Sequence, residues 1–312
     1  MGLLINGQWQ KGSIAPQDSK GDFIRLDSVF RQTTIEPEAN RYHLYISYAC
    51  PWACRTLIFL VLKGLEDTIS FSPVEPLMLE MGWAFGQKGT PTADPLYQLT
   101  YLHEIYQKAS PTCSSKVTVP VLWDKKTQTI VNNESSEIIR IFNSGFNQFA
   151  ENAYDFYPNN LQDKINEIND FVYQKINNGV YKCGFSSSQA AYERAYDNLF
   201  SALDKIEALL GQQAYLVGDN ITEADWRLFT TLIRFDQVYV SHFKCNKKCL
   251  REYPNLSNYV RALYQIPGIK KTVDFNHIKT HYFGSHLFIN PTGIIPKGPD
   301  IDFDAPHNRT VL

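Results

Sequence analysis

The sequence has no apolar run approaching the roughly 20 residues needed to cross a bilayer, which argues against a membrane protein. Its start, MGLLINGQWQKG, lacks the basic flank and apolar core of a secretory signal. Gly2 alone suggests myristoylation, but Asn6 stands where that signal wants Ser or Thr. Charge of one sign is also missing. The net value is −2 over 312 residues, so no global positive field draws the chain to nucleic acid or an anionic membrane. Six cysteines in a chain this long are too few for a disulfide scaffold. The expectation is therefore a cytoplasmic protein with reduced thiols, most of them buried as small hydrophobes.

With 44% hydrophobic and 20% charged residues, the chain has material for one large packed domain or two ordinary ones. Residues 1–40 are rich in Gly, Asp, Ser and Gln with little periodicity, and read as an irregular extension wrapped over the first domain. From Arg41, Tyr42, Leu44 and Ile46 alternate with more polar neighbours, which predicts a half-buried strand. Pro51 then stands where a first helical residue would, since its fixed φ suits that place and its missing N–H costs nothing there. Trp52 to Leu62 is apolar on most faces and ends before Gly64, a buried helix stopped by a glycine. Strands follow at Ile69–Val74, Val117–Trp123 and Thr129–Asn132. Pro120, inside the second, predicts an edge or irregular position. Asn133-Glu134-Ser135-Ser136 then caps an apolar helix from Glu137. This is an α/β unit, predicted to occupy 41–150.

The second half changes character. Leu161, Ile165, Ile168, Phe171, Val172 and Ile176 are at helical spacing, and further helices are predicted near Ser188–Leu210, Thr222–Val238 and Pro254–Leu263. Thr222-Glu223-Ala224-Asp225 resembles a capping box with Asp as the short acid. Residues 155–312 are expected to form an all-helical domain with an irregular tail after about His277.

Cys50 is the position with the most chemistry. Between a strand and a helix opening with Pro51, its side chain faces free amides and the positive end of the helix dipole. Cysteines so placed fall from a pKa of about 8.5 into the range of roughly 3.5–7.5, and the thiolate is the nucleophile for attack on sulfur. The competing reading is a buried structural thiol. Downstream features weigh against it. Val119-Pro120 before a strand is where such folds carry a cis proline, beside which an N–H and a C=O can pair with a peptide-like ligand. Ser135 and the amides after it offer a carboxylate site at a helix start, although a Ser there is also an ordinary cap. Together these elements describe a thioredoxin-like domain that binds glutathione.

Cys50-Pro51-Trp52-Ala53 resembles the signature of the xi-class glutathione transferases, the glutathionyl-hydroquinone reductases. The likeness runs from about Asn40 to Pro299. It takes in LMLEMGWAF, KVTVPVLWDKKTQTIVNNESSEIIRIFN, INNGVYKCGF, YLVGDNITEADWRLFTTLIRFDQVYVSHFKCN, and HYFGSH followed by INPTGIIPKGP. It implies a thioredoxin-like N-terminal domain, an all-α C-terminal domain and a homodimer. It implies Cys50 as the catalytic residue and glutathione as co-substrate, with no metal. Trp83 would line the glutathione site, Val119 pair with the cysteinyl backbone, and Glu134 and Ser135 hold the γ-glutamyl end. Tyr181, Tyr239 and Tyr282 would surround a glutathionylated aromatic in the helical domain. Lys116 stands where an arginine is expected on the glycyl carboxylate, keeping the charge without the bidentate fork. Phe283 replaces a frequent second tyrosine. The rivals are an omega-like general thioltransferase or dehydroascorbate reductase, and a non-catalytic glutathione-fold binding module.

Two further groupings carry less. Cys54, one turn after Cys50, could resolve a Cys50 mixed disulfide, though a packed thiol is the simpler reading. His242, Cys245 and Cys249 could be sketched as a metal site but lack a fourth ligand. His277 and His281 share helical spacing, but Ile278 stands where a zinc protease needs glutamate.

Overall fold

The computed structural model describes residues 2–12 and 16–309. They form two compact units. One comprises 2–12, 26–154 and 276–287, and the other 16–25, 155–275 and 288–309.

The first unit is built on the sheet β4-β3-β8-β9. Its strands are β3 (Tyr42–Ile46), β4 (Ser70–Pro73), β8 (Val121–Asp124) and β9 (Thr129–Asn132). β4 runs parallel to β3, whereas β8 and β9 are antiparallel. Parallel neighbours need a crossover, here supplied by α1 (Pro51–Leu62), which packs against α3 (Ser135–Arg140). The intervening stretch adds the hairpin of β5 (Met78–Leu79) and β6 (Gly82–Trp83), and α2 (Leu102–Ala109). This is the thioredoxin-like arrangement.

Three expectations are corrected in this unit. β3 is not half-buried; all five of its residues are buried. It lies inside the sheet, and its polar residues are satisfied internally. The His43 ring nitrogens lie 2.8 and 2.9 Å from the Ser70 and Ser72 hydroxyls, and the Tyr45 hydroxyl donates to Asp94 at 2.9 Å. Polar letters in alternation therefore marked hydrogen-bonded core rather than solvent. Next, residues 117–123 do not form one strand, and Pro120 takes the irregular position rather than the edge. It precedes β8, an inner strand, across the cis Val119–Pro120 peptide. The preceding residues split off as β7 (Ser115–Lys116). Finally, the early segment is not all irregular. β1 (Gly2–Ile5) pairs with β2 (Gln8–Lys11) and with β7, and residues 28–32 run beside β9, with Asn133 N donating to Phe30 O and Gln32 N to Val131 O.

Burial also sets a pH dependence. Desolvation, aided by Lys125, pushes His43 down to about 3, and desolvation with Lys244 pushes His242 down to about 4. Below about 6.5 the unfolded chain takes up protons that the folded chain refuses. Stability is thus full above that pH and falls as the pH drops, toward 3 for His43 and toward 4 for His242, by on the order of 1 kcal/mol per unit for each. Urea titrations at pH 7.5, 6 and 5 should show this slope, and His43→Asn should roughly halve it, leaving the share of His242.

The second unit is helical: α4 (Gln162–Val172), α5 (Asn178–Phe185), α6 (Gln189–Leu210), α7 (Glu223–Leu232) and α8 (Pro254–Tyr264). The predicted capping box is present, with Thr222 as N-cap and Asp225 closing it. α5 was not predicted, because Gly179 and Gly184 weaken its signal. Gly184 is needed for packing: a Cβ there would lie 2.2 Å from the Phe243 ring. The irregular tail predicted from His277 is also corrected, since α9 (Phe275–Ser285) is helical there and all but its first residue belong to the first unit.

Candidate active site

Cys50 is the N-cap of α1, with φ −77° and ψ 118°, Pro51 at the first helical position and no acidic residue in the first turn. A tight turn places it, its N–H donating to Ser47 O at 3.1 Å. The thiol is partly exposed and donates to Val119 O at 3.6 Å. The strand–Cys–Pro–helix unit and the Val-Pro loop are therefore together in space. The positive end of the α1 dipole and the absence of an acid in its first turn favour the thiolate.

A buried tyrosine ties the Val119 loop to the start of α3. The Tyr106 hydroxyl donates to Thr118 O at 2.8 Å, and accepts from Thr118 N at 3.2 Å and Asn133 Nδ2 at 3.0 Å. Its burial raises its pKa, so it stays a neutral phenol. Asn133 precedes Glu134, which is the N-cap of α3 and accepts from Ser136 N and Oγ at 3.0 and 2.9 Å. Ser135 is the first helical residue and is buried, so the ordinary cap role weighed against a ligand role for it falls to its neighbour Glu134. The second carboxylate oxygen of Glu134 takes the Ser28 hydroxyl at 3.3 Å. Neither Tyr106 nor Ser28 was found from sequence. Nothing local marks a hub whose partners lie 12 to 27 residues away, and residues 1–40 gave no periodic signal.

Trp83, on β6, is buried and stacked on His281 of α9, with ring centroids 4.7 Å apart and planes 17° from parallel. His281 Nδ1 lies 2.9 Å from Pro76 O. One turn earlier, His277 Nε2 is 3.2 Å from Ser47 Oγ and its ring packs edge-on to Tyr48. The shared spacing of these histidines was visible in the sequence, but only as a failed zinc motif. Among the described residues no three His, Cys, Asp or Glu side chains gather as metal ligands, and no helix is long and apolar enough to cross a membrane. Lys116 lies on β7, paired with Leu3 of β1.

The three tyrosines come from both units. Tyr181 on α5 and Tyr239 share an aromatic cluster in the helical unit, with centroids 6.1 Å apart and both rings on Phe243. Tyr282 belongs instead to the first unit, on α9 beside His281 and His286. Cys54 is buried on α1, its N–H donating to Cys50 O. Cys54→Ala should keep its turnover and lose ~1 kcal/mol of stability. Loss of turnover with an intact fold would assign Cys54 the resolving role.

Family models for the N-terminal and C-terminal domains of glutathione S-transferases match residues 49–144 and 189–262. Glutathionyl-hydroquinone reductase YqjG of Escherichia coli is 51% identical, with 100% of this chain and 99% of the relative covered. Its glutathione-bound structure superposes with a TM-score of 0.89 over 99% of both chains. Glutathionyl-hydroquinone reductase PcpF of Sphingobium chlorophenolicum is 46% identical over 96% of each chain. The xi-class glutathione transferase of Natrialba magadii is 47% identical, covering 99% of this chain and 96% of that one, with a TM-score of 0.90.

Proposed function

Since the chain belongs to the xi-class glutathione transferases, the glutathionyl-hydroquinone reductases, we propose that it reduces glutathionyl-hydroquinones to hydroquinones with glutathione as co-substrate. The observation that carries this reading is the Cys50 thiol at the start of α1, 3.6 Å from Val119 O.

The reaction has two displacements at sulfur. Thiolate Cys50 attacks the glutathionyl sulfur. The bond from sulfur to the ring carbon breaks, its electron pair stays on the carbon, and that carbon takes a proton to give the hydroquinone. The thiolate of a second glutathione then attacks the mixed disulfide, so that oxidised glutathione leaves and Cys50 returns as thiolate. A low thiol pKa serves both steps, raising the thiolate fraction in the first and easing departure in the second.

The chain's own groups fit a glutathionyl ligand. Val119 offers a backbone carbonyl beside the nucleophile, and Glu134 a carboxylate oriented by Ser136 and Ser28 for an ammonium group. Ser135 adds a hydroxyl for the neighbouring carboxylate, Trp83 an aromatic wall and Lys116 a cation for the glycyl end. Tyr181, with Tyr239 and Tyr282, would donate phenolic hydrogen bonds to the hydroquinone oxygens. We place the protein in the reducing cytoplasm as a homodimer, the latter to be read from its mass in sedimentation equilibrium.

The test is turnover of glutathionyl-menadione by glutathione, set against cleavage of a glutathionylated peptide. Rapid turnover of the first and slow cleavage of the second is expected. Cleavage of the peptide alone would replace this reading by a general thioltransferase.

A further inference from the structure

The segment 16–25 is fastened to the helical unit by contacts along its length. A turn forms where Asp18 Oδ1 accepts from Lys20 N and Asp22 N, closed by Gly21 at φ +83°. The Gln17 side chain donates to Phe185 O at 2.7 Å, the Ser188 hydroxyl to Lys20 O at 2.9 Å, and Asp22 pairs with Arg194 at 2.7 Å. The segment therefore delivers Phe23 and Arg25 to fixed places.

Those places are on the aromatic cluster. Phe23 meets Phe185 edge-on at 5.4 Å and lies 6.4 Å from Tyr181. Arg25 Nε donates to Asn178 Oδ1 at 2.7 Å, which orients the guanidinium with its central carbon 4.9 Å from the Tyr181 ring centroid and 5.3 Å from that of Phe23. Tyr181 in turn touches Phe185, Tyr239 and Phe243, at 5.7, 6.1 and 5.4 Å. A guanidinium is suited to this position, being planar, weakly hydrated and charged at every working pH. Partly buried against the rings of Phe23 and Tyr181, its field is screened less than that of a fully exposed charge.

We infer that Arg25 is a specificity-determining residue. Held against Tyr181, it gives the aromatic-substrate side a fixed positive charge that favours hydroquinone adducts carrying an anionic group on the ring. This rests on the reading of Tyr181 as a substrate-side residue. A purely structural staple, by contrast, would affect neutral and anionic substrates alike.

The experiment compares kcat/KM for the glutathionyl adducts of hydroquinone and of gentisate, the same ring bearing a carboxylate. Wild type, Arg25→Met, Arg25→Lys and Tyr181→Phe are measured at one ionic strength, with melting temperatures to check the fold. Arg25→Met should lower the ratio of gentisate to hydroquinone adduct by roughly 5- to 10-fold, and Arg25→Lys should stay within about twofold of wild type. An unchanged ratio in Arg25→Met overturns the inference. So does an equal fall in Met and Lys variants, which would assign the effect to geometry rather than charge. Tyr181→Phe separates the two claims. If it alters turnover while Arg25→Met leaves the ratio unmoved, only the role of Arg25 fails. If it alters nothing, the reading of Tyr181 as a substrate-side residue fails, and the role given to Arg25 through that ring fails with it.

Discussion

Cys50→Ser is expected to lose on the order of 10³-fold or more in kcat/KM for glutathionyl-menadione, with its melting temperature and glutathione affinity close to wild type. A serine hydroxyl at the same N-cap keeps the geometry, and Ser is a good cap in its own right. It cannot ionise at neutral pH as a thiol can, and it cannot form the disulfide that the second glutathione must attack. The loss therefore falls on chemistry rather than folding. Stopped-flow mixing with one equivalent of substrate, followed by intact-mass spectrometry, supplies the direct check. The wild-type protein should carry one glutathionyl group before the second glutathione is added, and the variant none. Equal turnover by both proteins would remove Cys50 from the mechanism. A folded, unreactive wild-type protein would instead return the binding-module reading.

The second large effect concerns stability. Asp225 is fully buried at the start of α7, where it accepts from Leu216 N at 2.9 Å, Thr222 N at 2.8 Å, Thr222 Oγ1 at 3.1 Å and the Tyr259 hydroxyl at 2.9 Å. One carboxylate thus joins the loop before α7, the first turn of α7 and α8. Asp225→Ala would leave these donors without their acceptor in a dry interior, and each buried donor so abandoned costs about 1–3 kcal/mol. An overall loss of about 3–5 kcal/mol follows, since the loop can relax around part of it. For a domain of this size that lowers the melting temperature by roughly 8–15 °C. Denaturant melts of the two proteins give the comparison. A loss under about 1 kcal/mol would mean that the donors find water or other partners.

Asp225 also illustrates how the sequence could be read. Thr222-Glu223-Ala224-Asp225 is a local pattern, and a local pattern carries its own structure: cap and acid satisfy each other's amides within one turn. The same holds for Cys50-Pro51 at a strand-to-helix junction and for Gly64 after α1, at φ +63°. The strand and helix order of the thioredoxin-like unit was legible for that reason, as was the place of Cys50 at the start of α1.

What could not be read locally depended on distant partners. His43 and Tyr45 looked like the solvent side of β3, and only Ser70, Ser72 and Asp94 make them core. α5 was hidden by glycines that matter only because Phe243 presses against one of them. The stack of Trp83 on His281 joins residues almost two hundred positions apart, and the Tyr106 hub joins the Val119 loop to Asn133. Arg25 on Tyr181 could not be foreseen from a segment without periodicity. By itself the sequence determined the fold class and the setting of Cys50 at a helix start, because caps, breakers and hydrophobic spacing act within a few residues. The tertiary structure alone decided which polar groups are buried with partners, where the early segment lies and which side chains orient the site. Those contacts depend on packing between residues that no spacing rule connects.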